Sequence, residues 1–243
     1  MRLAHRTAVV TGGGSGIGAA IAYAFAAEGA KVLIAGRGEA RLREAAAKFA
    51  GPHPIRTCVA DVAIRADIER LFEQADRELG RVNILVNSAG INVPRRALAE
   101  LSPEDWQKII DVNTTGTFLC VRAVLPQMRE RRDGVIINIS SVAGIRASLL
   151  GGAAYTASKF AASGFGLVAG LEEKDHGIRV TNIYPGEVET PILDQRPVPV
   201  TAEHRARILQ PEDVASAALM VATLPPRAHV PELTIKPTTQ AFA

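Results

Sequence analysis

The chain has 243 residues, 47% of them hydrophobic and 22% charged, with a formal net charge of +3 and a pI near 9.1. These proportions are those of a globular domain, and the 21 glycines and 14 prolines follow no repeat, so disordered, collagen-like and low-complexity classes drop out. So small a net charge leaves no nucleic-acid footprint: the dense basic spots, Arg95-Arg96 and Arg129, Arg131 and Arg132, read as solvated surface.

Short β-branched runs alternate with longer helical patterns. Residues 7–10 read as a buried strand, followed by the turn Thr11-Gly12-Gly13-Gly14-Ser15-Gly16. A helix over 17–28 has Ile17, Ile21, Ala24 and Phe25 on one face and stops at Gly29. Strands at 31–35, 55–62, 83–86, 135–139, 179–183 and 233–235 alternate with helical patterns at 39–49, 64–79, 102–129 and 153–174, and another helix begins at Gln210-Pro211-Glu212-Asp213. Ser102-Pro103-Glu104-Asp105 is a helix start: a capping serine, a proline in the first turn, and carboxylates beside the positive end of the helix dipole. Apolar strands alternating with helices predict parallel βαβ units. The expected fold is one Rossmann-like, doubly wound α/β domain over residues 1–243, a seven-stranded parallel sheet with helices on both faces. Prolines crowd after Tyr184, and residues 186–210 read as a substrate loop, because ligands of such sheets lie beyond the carboxyl ends of the strands.

Cys58 and Cys120 form no CxxC, and the histidines show no metal-ligand spacing, so neither a disulfide framework nor a metal site is expected. The N-terminus lacks the apolar core of a signal peptide, and the apolar stretch 149–171 is interrupted by Ser158, Lys159 and glycines. The expectation is a cytoplasmic protein acting on a small molecule, with no membrane or nucleic-acid partner.

The glycine turn follows a strand and opens a helix. Glycines let the backbone approach a phosphate, and the helix N-terminus offers free N–H groups and partial positive charge. The pattern Gly14-x-Gly16-x-x-Ala19 matches the dinucleotide fingerprint only loosely. More specific is an ordered set: Thr11-Gly12-x-x-x-Gly16-x-Gly18, Asn87-Ser88-Ala89-Gly90, Asn113, Ser141, Tyr155-x-x-x-Lys159 and Tyr184-Pro185-Gly186-Glu187-Val188-Glu189-Thr190. Over nearly the whole chain this set resembles the short-chain dehydrogenase/reductase family.

The resemblance implies a nicotinamide dinucleotide held by Gly12, Gly14, Ser15, Gly16, Ile17 and Gly18, by Asp61 and Val62 at the adenine, by Asn87, Ala89 and Gly90, and by Pro185, Gly186, Val188 and Thr190 near the nicotinamide. Asp61 has a second reading, as the cap of the helix start at Ala63. Where an acidic residue commonly binds the ribose 2′-OH, this chain has Gly36 followed by Arg37, which favours NADP with NAD possible. Ser15 departs from relatives that carry a basic residue there.

Tyr155 and Lys159 are four apart and share a helix face. An ammonium beside a phenol lowers its pKa and fits it for proton transfer to a substrate oxygen. The resemblance implies a catalytic set of Asn113, Ser141, Tyr155 and Lys159, with Ser141 polarising the substrate oxygen, Lys159 bonding the nicotinamide ribose and Asn113 holding a relay water. Ser141 lies 14 residues before Tyr155, one more than the family's common spacing, and the extra residue is assigned to Ser148-Leu149-Leu150-Gly151-Gly152. The pocket wall draws on residues 91–96, 145–154 and 187–199, including Arg95, Arg96, Arg146, Glu187 and Glu189. The reading is an NADP(H)-preferring oxidoreductase interconverting a carbonyl and a secondary alcohol. The alternatives are an NAD-dependent alcohol dehydrogenase of the same family and a dinucleotide-binding regulatory protein on this fold. The 153–174 helix carries Phe160, Phe165, Leu167, Val168 and Leu171 on more than one face. With the family's helix pairing, that implies a homodimer at minimum and a homotetramer with two-fold axes.

Overall fold

The computed structural model describes residues 1–241. Its strands are β1 (Thr7–Thr11), β2 (Lys31–Gly36), β3 (Arg56–Val59), β4 (Ile84–Asn87), β5 (Gly134–Ile139), β6 (Ile178–Pro185) and β7 (Glu232–Ile235). All pair in parallel, in the order β3-β2-β1-β4-β5-β6-β7. The helices are α1 (Gly16–Ala27), α2 (Glu39–Ala47), α3 (Arg65–Leu79), α4 (Pro103–Ile110), α5 (Gly116–Arg131), α6 (Ala153–Glu173), α7 (Ala202–Arg205) and α8 (Pro211–Ala222).

Alternation along the strands divides the core in two. Ala8 and Val10 of β1 pack with Ile21 and Phe25 of α1, Leu42 of α2 and Val214 and Ala218 of α8. Val9 points the other way, toward Leu71 and Phe72 of α3, Val121 and Val124 of α5 and Ala169 of α6. Period-two strands between two helix layers are buried on both faces, which is why they read as unbroken apolar runs. The order reverses at β1, flanked by β2 on one side and β4 on the other, and this opens a crevice at the carboxyl ends of the strands.

The helical region predicted from Ser102 to about residue 129 starts as read, with Ser102 Oγ accepting from the Asp105 amide at 3.1 Å. It is not one α-helix, however. A π-turn over Asp111–Thr115 separates α4 from α5. The extra residue in that turn disturbs the carbonyl ladder, and Thr117 Oγ1 donates to Asn113 O at 3.0 Å.

Two further readings are corrected. The segment after Tyr184 holds a 3₁₀ turn at Pro191–Gln195 and the short α7, neither foreseen from its prolines. Ion pairs tie it down: Glu187 with Arg196 and His204, and Arg205 with Glu189 and Asp194. The basic spot read as solvated is so at Arg129 and Arg132, which are exposed while bonded to Glu173 and to the Asp175 carbonyl, but Arg131 is half-buried and donates to the Val82 carbonyl. Among the described residues no helix is long and apolar enough to cross a membrane.

Candidate active site

A cleft of about 1140 Å³ opens at the carboxyl ends of the strands. One end is built by the glycine turn. Gly12 has φ +67°, and a Cβ on it would lie 2.8 Å from Ala89 Cα and N; a Cβ on Gly18 would lie 2.4 Å from Gly12 O. Such contacts exclude any side chain, so the turn closes directly onto the loop after β4. The Ser15 side chain caps none of the first-turn amides of α1, which leaves that positive helix end to an anion. Gly12, Gly14, Ser15, Gly16, Ile17 and Gly18 all line the cleft.

Arg37, just past β2, is exposed on the rim and makes no hydrogen bond or ion pair among the described residues. Arg41, in the first turns of α2, stands on the same rim, with its Cβ 3.6 Å from where a Gly14 Cβ would be. Sequence reasoning singled out Arg37 alone; Arg41 joins it on the rim because α2 begins at Glu39 and its first turn faces the glycine turn. Asp61 and Val62 line the cleft; Asp61 Oδ1 accepts from the Ala63 amide at 3.0 Å in a turn ahead of α3, whose N-cap position is Ile64, so Asp61 does not cap that helix. Ala89, Gly90, Pro185, Gly186, Val188 and Thr190 complete that wall. From the far end of the chain, Gln240 Oε1 accepts from the Glu187 amide at 3.0 Å.

Asn87 does not reach the wall. It is buried in the sheet, where its Nδ2 donates to Asn138 Oδ1 at 2.9 Å; Asn138 Nδ2 donates to Asn182 Oδ1 at 3.0 Å, and Asn182 Nδ2 to Ser163 O at 2.9 Å. The three asparagines stand at one register on β4, β5 and β6. This ladder needs the register between strands, which sequence spacing does not supply.

The other end of the cleft holds Ser141, Tyr155 and Lys159. Ser140 and Ser141 part company where β5 ends. The Ser140 hydroxyl is buried against Ser163 Oγ at 2.9 Å, whereas Ser141 faces Tyr155 and accepts from the Ala143 amide at 3.1 Å. Lys159 Nζ lies 5.6 Å from the Tyr155 ring centroid and donates to Ile139 O at 2.9 Å. Asn113 lies behind the wall. Its Oδ1 accepts from the Ile91 amide at 2.8 Å, and its Nδ2 donates to Ile91 O and Ser158 Oγ, each at 3.0 Å. Only the absent side chain of Gly90 separates Asn113 from Lys159: a Cβ there would lie 3.5 Å from Lys159 Nζ and 3.6 Å from Asn113 Oδ1.

Burial dominates the electrostatics of this pair. Burial pushes the Tyr155 phenol above its ordinary value, and the Ser141 hydroxyl and the Arg96 guanidinium offset this only in part. Burial also drives Lys159 down to about 8. Desolvation therefore outweighs the phenol–ammonium attraction that the four-residue spacing suggests.

Crevice, glycine turn and the tyrosine–lysine helix together define a dinucleotide-dependent oxidoreductase. A sequence model of the short chain dehydrogenase family matches residues 6–198. The chain is 37% identical to an uncharacterized oxidoreductase of Staphylococcus saprophyticus, over 98% of this chain and 99% of that one. Its fold superimposes on serine dehydrogenase in a closed form complexed with NADP+, with a TM-score of 0.89, 34% identity and coverage of 98% and 97%. It also superimposes on a 3-ketoacyl-(acyl-carrier-protein) reductase of Brucella melitensis complexed with NADH, with a TM-score of 0.88, 30% identity and coverage of 96% and 98%. The chain belongs to the short-chain dehydrogenase family and is an NAD(P)-dependent oxidoreductase of that family.

The lysine gives a pH test of this electrostatic picture. A lysine at about 8 in the folded chain, against about 10.4 unfolded, penalises the folded state at neutral pH. The penalty is released as pH rises through that interval, where the unfolded chain still binds the proton. Lys159→Met removes the titration, while the Ile139 carbonyl it strips contributes a pH-independent offset. The difference in melting temperature, variant minus wild type, should therefore fall between about pH 7 and pH 10. A difference that stays flat would mean the ammonium is well solvated.

Proposed function

We propose that the protein is an NADP(H)-preferring oxidoreductase that interconverts a ketone and a secondary alcohol, with Tyr155 as the acid and base. The observation that carries this reading is the Tyr155 phenol on the cleft wall, faced by Ser141 and backed by Lys159, at the opposite end of the cleft from the glycine turn. The cradle fits a dinucleotide: an uncapped helix N-terminus, a backbone approach that no side chain could share, and a long cleft leading to the phenol. Gly12 to Gly18 would hold the pyrophosphate, Asp61 and Val62 the adenine side, and Val188 and Thr190 the nicotinamide side. The bound nicotinamide supplies or accepts the hydride.

The chain's own groups move the proton. In reduction, Tyr155 gives its phenolic proton to the oxygen that gains charge at the carbonyl carbon; in oxidation it takes the alcohol proton. Ser141 donates a hydrogen bond to that same oxygen as charge develops. Lys159, held to Ile139 O, keeps positive charge beside the phenolate. Asn113 spends its side chain on Ile91 and Ser158, which fixes the loop after β4 against α6. It thereby positions Gly90 next to Lys159. A water on Asn113 would extend this line as a proton relay.

Preference for NADP rests on the two rim arginines. Arg37 and Arg41 lack partners among the described residues, and Gly36 places no carboxylate where a 2′-phosphate would lie. The small-molecule substrate enters beside Tyr155. Assembly as a homodimer or homotetramer is supported by α6, whose outer face exposes Phe160, Val168 and Leu171, the last at 68%. Among the described residues the C-terminal segment does not cover that face, and Gly164 has nothing within 4 Å of where its Cβ would be, leaving room for a second helix.

Three measurements test these statements. Tyr155→Phe keeps the ring and removes the proton, so kcat should fall at least about 10²-fold while NADPH still binds; unchanged turnover would dismiss Tyr155 as the acid. Wild-type kcat/KM should favour NADPH over NADH. Arg37→Ala and Arg41→Ala should each narrow that ratio, and Gly36→Asp should invert it by charge repulsion; indifference to all three would place the selectivity elsewhere. Light scattering at micromolar concentration should give a dimer or tetramer mass, and a monomer near 25.8 kDa would refute the assembly.

A further inference from the structure

Arg96 was read as part of a solvated basic spot, yet only its neighbour Arg95 is exposed; Arg96 itself is 8% exposed and lies on the same cleft wall as Tyr155 and Ser141. Its Nε donates to Val93 O at 2.9 Å, its Nη1 to Leu150 O at 3.0 Å and its Nη2 to Gln195 O. All three acceptors are neutral carbonyls, and among the described residues no carboxylate pairs with it. Glu187, on the same wall, is taken by Arg196 and His204, each at 2.8 Å. Burial weighs most on the Arg96 guanidinium, Arg196 repels it, and the one acidic group acting on it is the Tyr155 phenol, which is itself held above its ordinary value.

The place is constructed around this guanidinium. Gly152 has φ +77°, and a Cβ there would lie 2.8 Å from Arg96 Cβ; a Cβ on Gly151 would lie 3.1 Å from Tyr155 Cδ1. One turn of chain thus touches Arg96 with one glycine and Tyr155 with the other. Asn92 Nδ2 fastens the turn by donating to Gly151 O at 3.0 Å, and Leu150 of the same turn supplies one of the three carbonyls. This is the segment to which the additional residue between Ser141 and Tyr155 was assigned.

Tying three carbonyls together requires donors and not a charge. A buried guanidinium without a counter-ion is costly, and a neutral donor would tie the loops more cheaply. The three bonds use three of the five N–H groups and leave one on each terminal nitrogen. Such a pair can take the two oxygens of a carboxylate in parallel bonds. One uncompensated positive charge matches one carboxylate, whereas a phosphate dianion would need two.

We propose that Arg96 anchors a carboxylate on the substrate, so that the cleft takes a short hydroxy acid or its keto acid, held by its acid end while Tyr155 and Ser141 face the carbon–oxygen bond. This rests on the oxidoreductase reading above and adds the substrate class to it. The test uses the full chain with NADP+ and with NAD+. It compares 2-, 3- and 4-hydroxy acids of about three to five carbons with their methyl esters, and adds neutral secondary alcohols. At least one acid should exceed its ester in kcat/KM by about tenfold or more, chiefly through KM, the scale of a hydrogen bond to a charged group. Arg96→Gln should lower that acid-to-ester ratio by about tenfold or more. The ratio within one enzyme is insensitive to a uniform loss of folded protein. Should the variant fail to fold, the wild type still decides: propionate should inhibit neutral-alcohol oxidation competitively with the alcohol, and propionamide should not. Acids no better than esters or neutral alcohols, with no inhibition by propionate, would overturn the anchor and leave the oxidoreductase reading standing. No turnover of acid, ester or alcohol with either dinucleotide would overturn that reading and the anchor with it.

Discussion

The steric contact between the glycine turn and its surroundings is the constraint on which the rest of this structure depends. Gly18 abuts the Gly12 carbonyl and Gly12 abuts the backbone at Ala89, at separations no Cβ tolerates. Because these backbones touch, the N-terminus of α1 stands at the point where the sheet order reverses, with its first-turn amides uncapped by Ser15. Parallel strands create a crevice there in any doubly wound sheet. Here the contact lines that crevice with bare backbone and joins it to the loop after β4, which carries Gly90 toward Lys159.

The opposite end of the cleft is held by polar bonds inside the sheet and helix layer. The asparagine ladder runs across β4, β5 and β6 and ends on the Ser163 carbonyl of α6. Gly166 allows α6 this close, since a Cβ there would lie 2.2 Å from Asn182 Oδ1. One helix turn before Ser163, Lys159 reaches back to Ile139 O at the end of β5. The π-turn contributes from the other side: Asn113 bonds Ile91 and Ser158, and Thr114 Oγ1 donates to Ser158 O at 3.0 Å. Buried networks of this kind favour one packing and resist small shifts, even though Asn87 Oδ1 has no hydrogen-bond partner among the described residues. These bonds hold Tyr155, Ser141 and Lys159 in one arrangement along the cleft.

Charge is unevenly distributed along the cleft. The glycine-turn end has arginines on an exposed rim, where solvent screens them. The Tyr155 end has arginines in a desolvated wall, one neutralised by Glu187 and one left with carbonyls alone. Field strength per charge is far greater in the second setting. A single guanidinium there, with no carboxylate partner among the described residues, exerts more local field than the small net charge of the chain would suggest.

Much of the architecture was legible in the sequence because it follows from local chemistry. Strand and helix periods, the Ser102 cap, the strand–glycine–helix turn and the four-residue spacing of Tyr155 and Lys159 are set by neighbours along the chain, and the seven strands and helix layers appear where those signals lie. What tertiary structure decided required knowing which distant residues become neighbours. The Asn87–Asn138–Asn182 ladder exists only in the parallel register, so Asn87, assigned to the cofactor from its motif, is turned into the sheet. The π-turn at Asn113 depends on packing against α6, while the surrounding pattern reads as plain helix. Tyr155 and Lys159 shift under burial more than under each other's charge, and burial is a property of the folded chain. Arg96, indistinguishable in sequence from the exposed Arg95 beside it, is buried because Val93, Leu150 and Gln195 close around it, and those three segments meet only after the chain has folded.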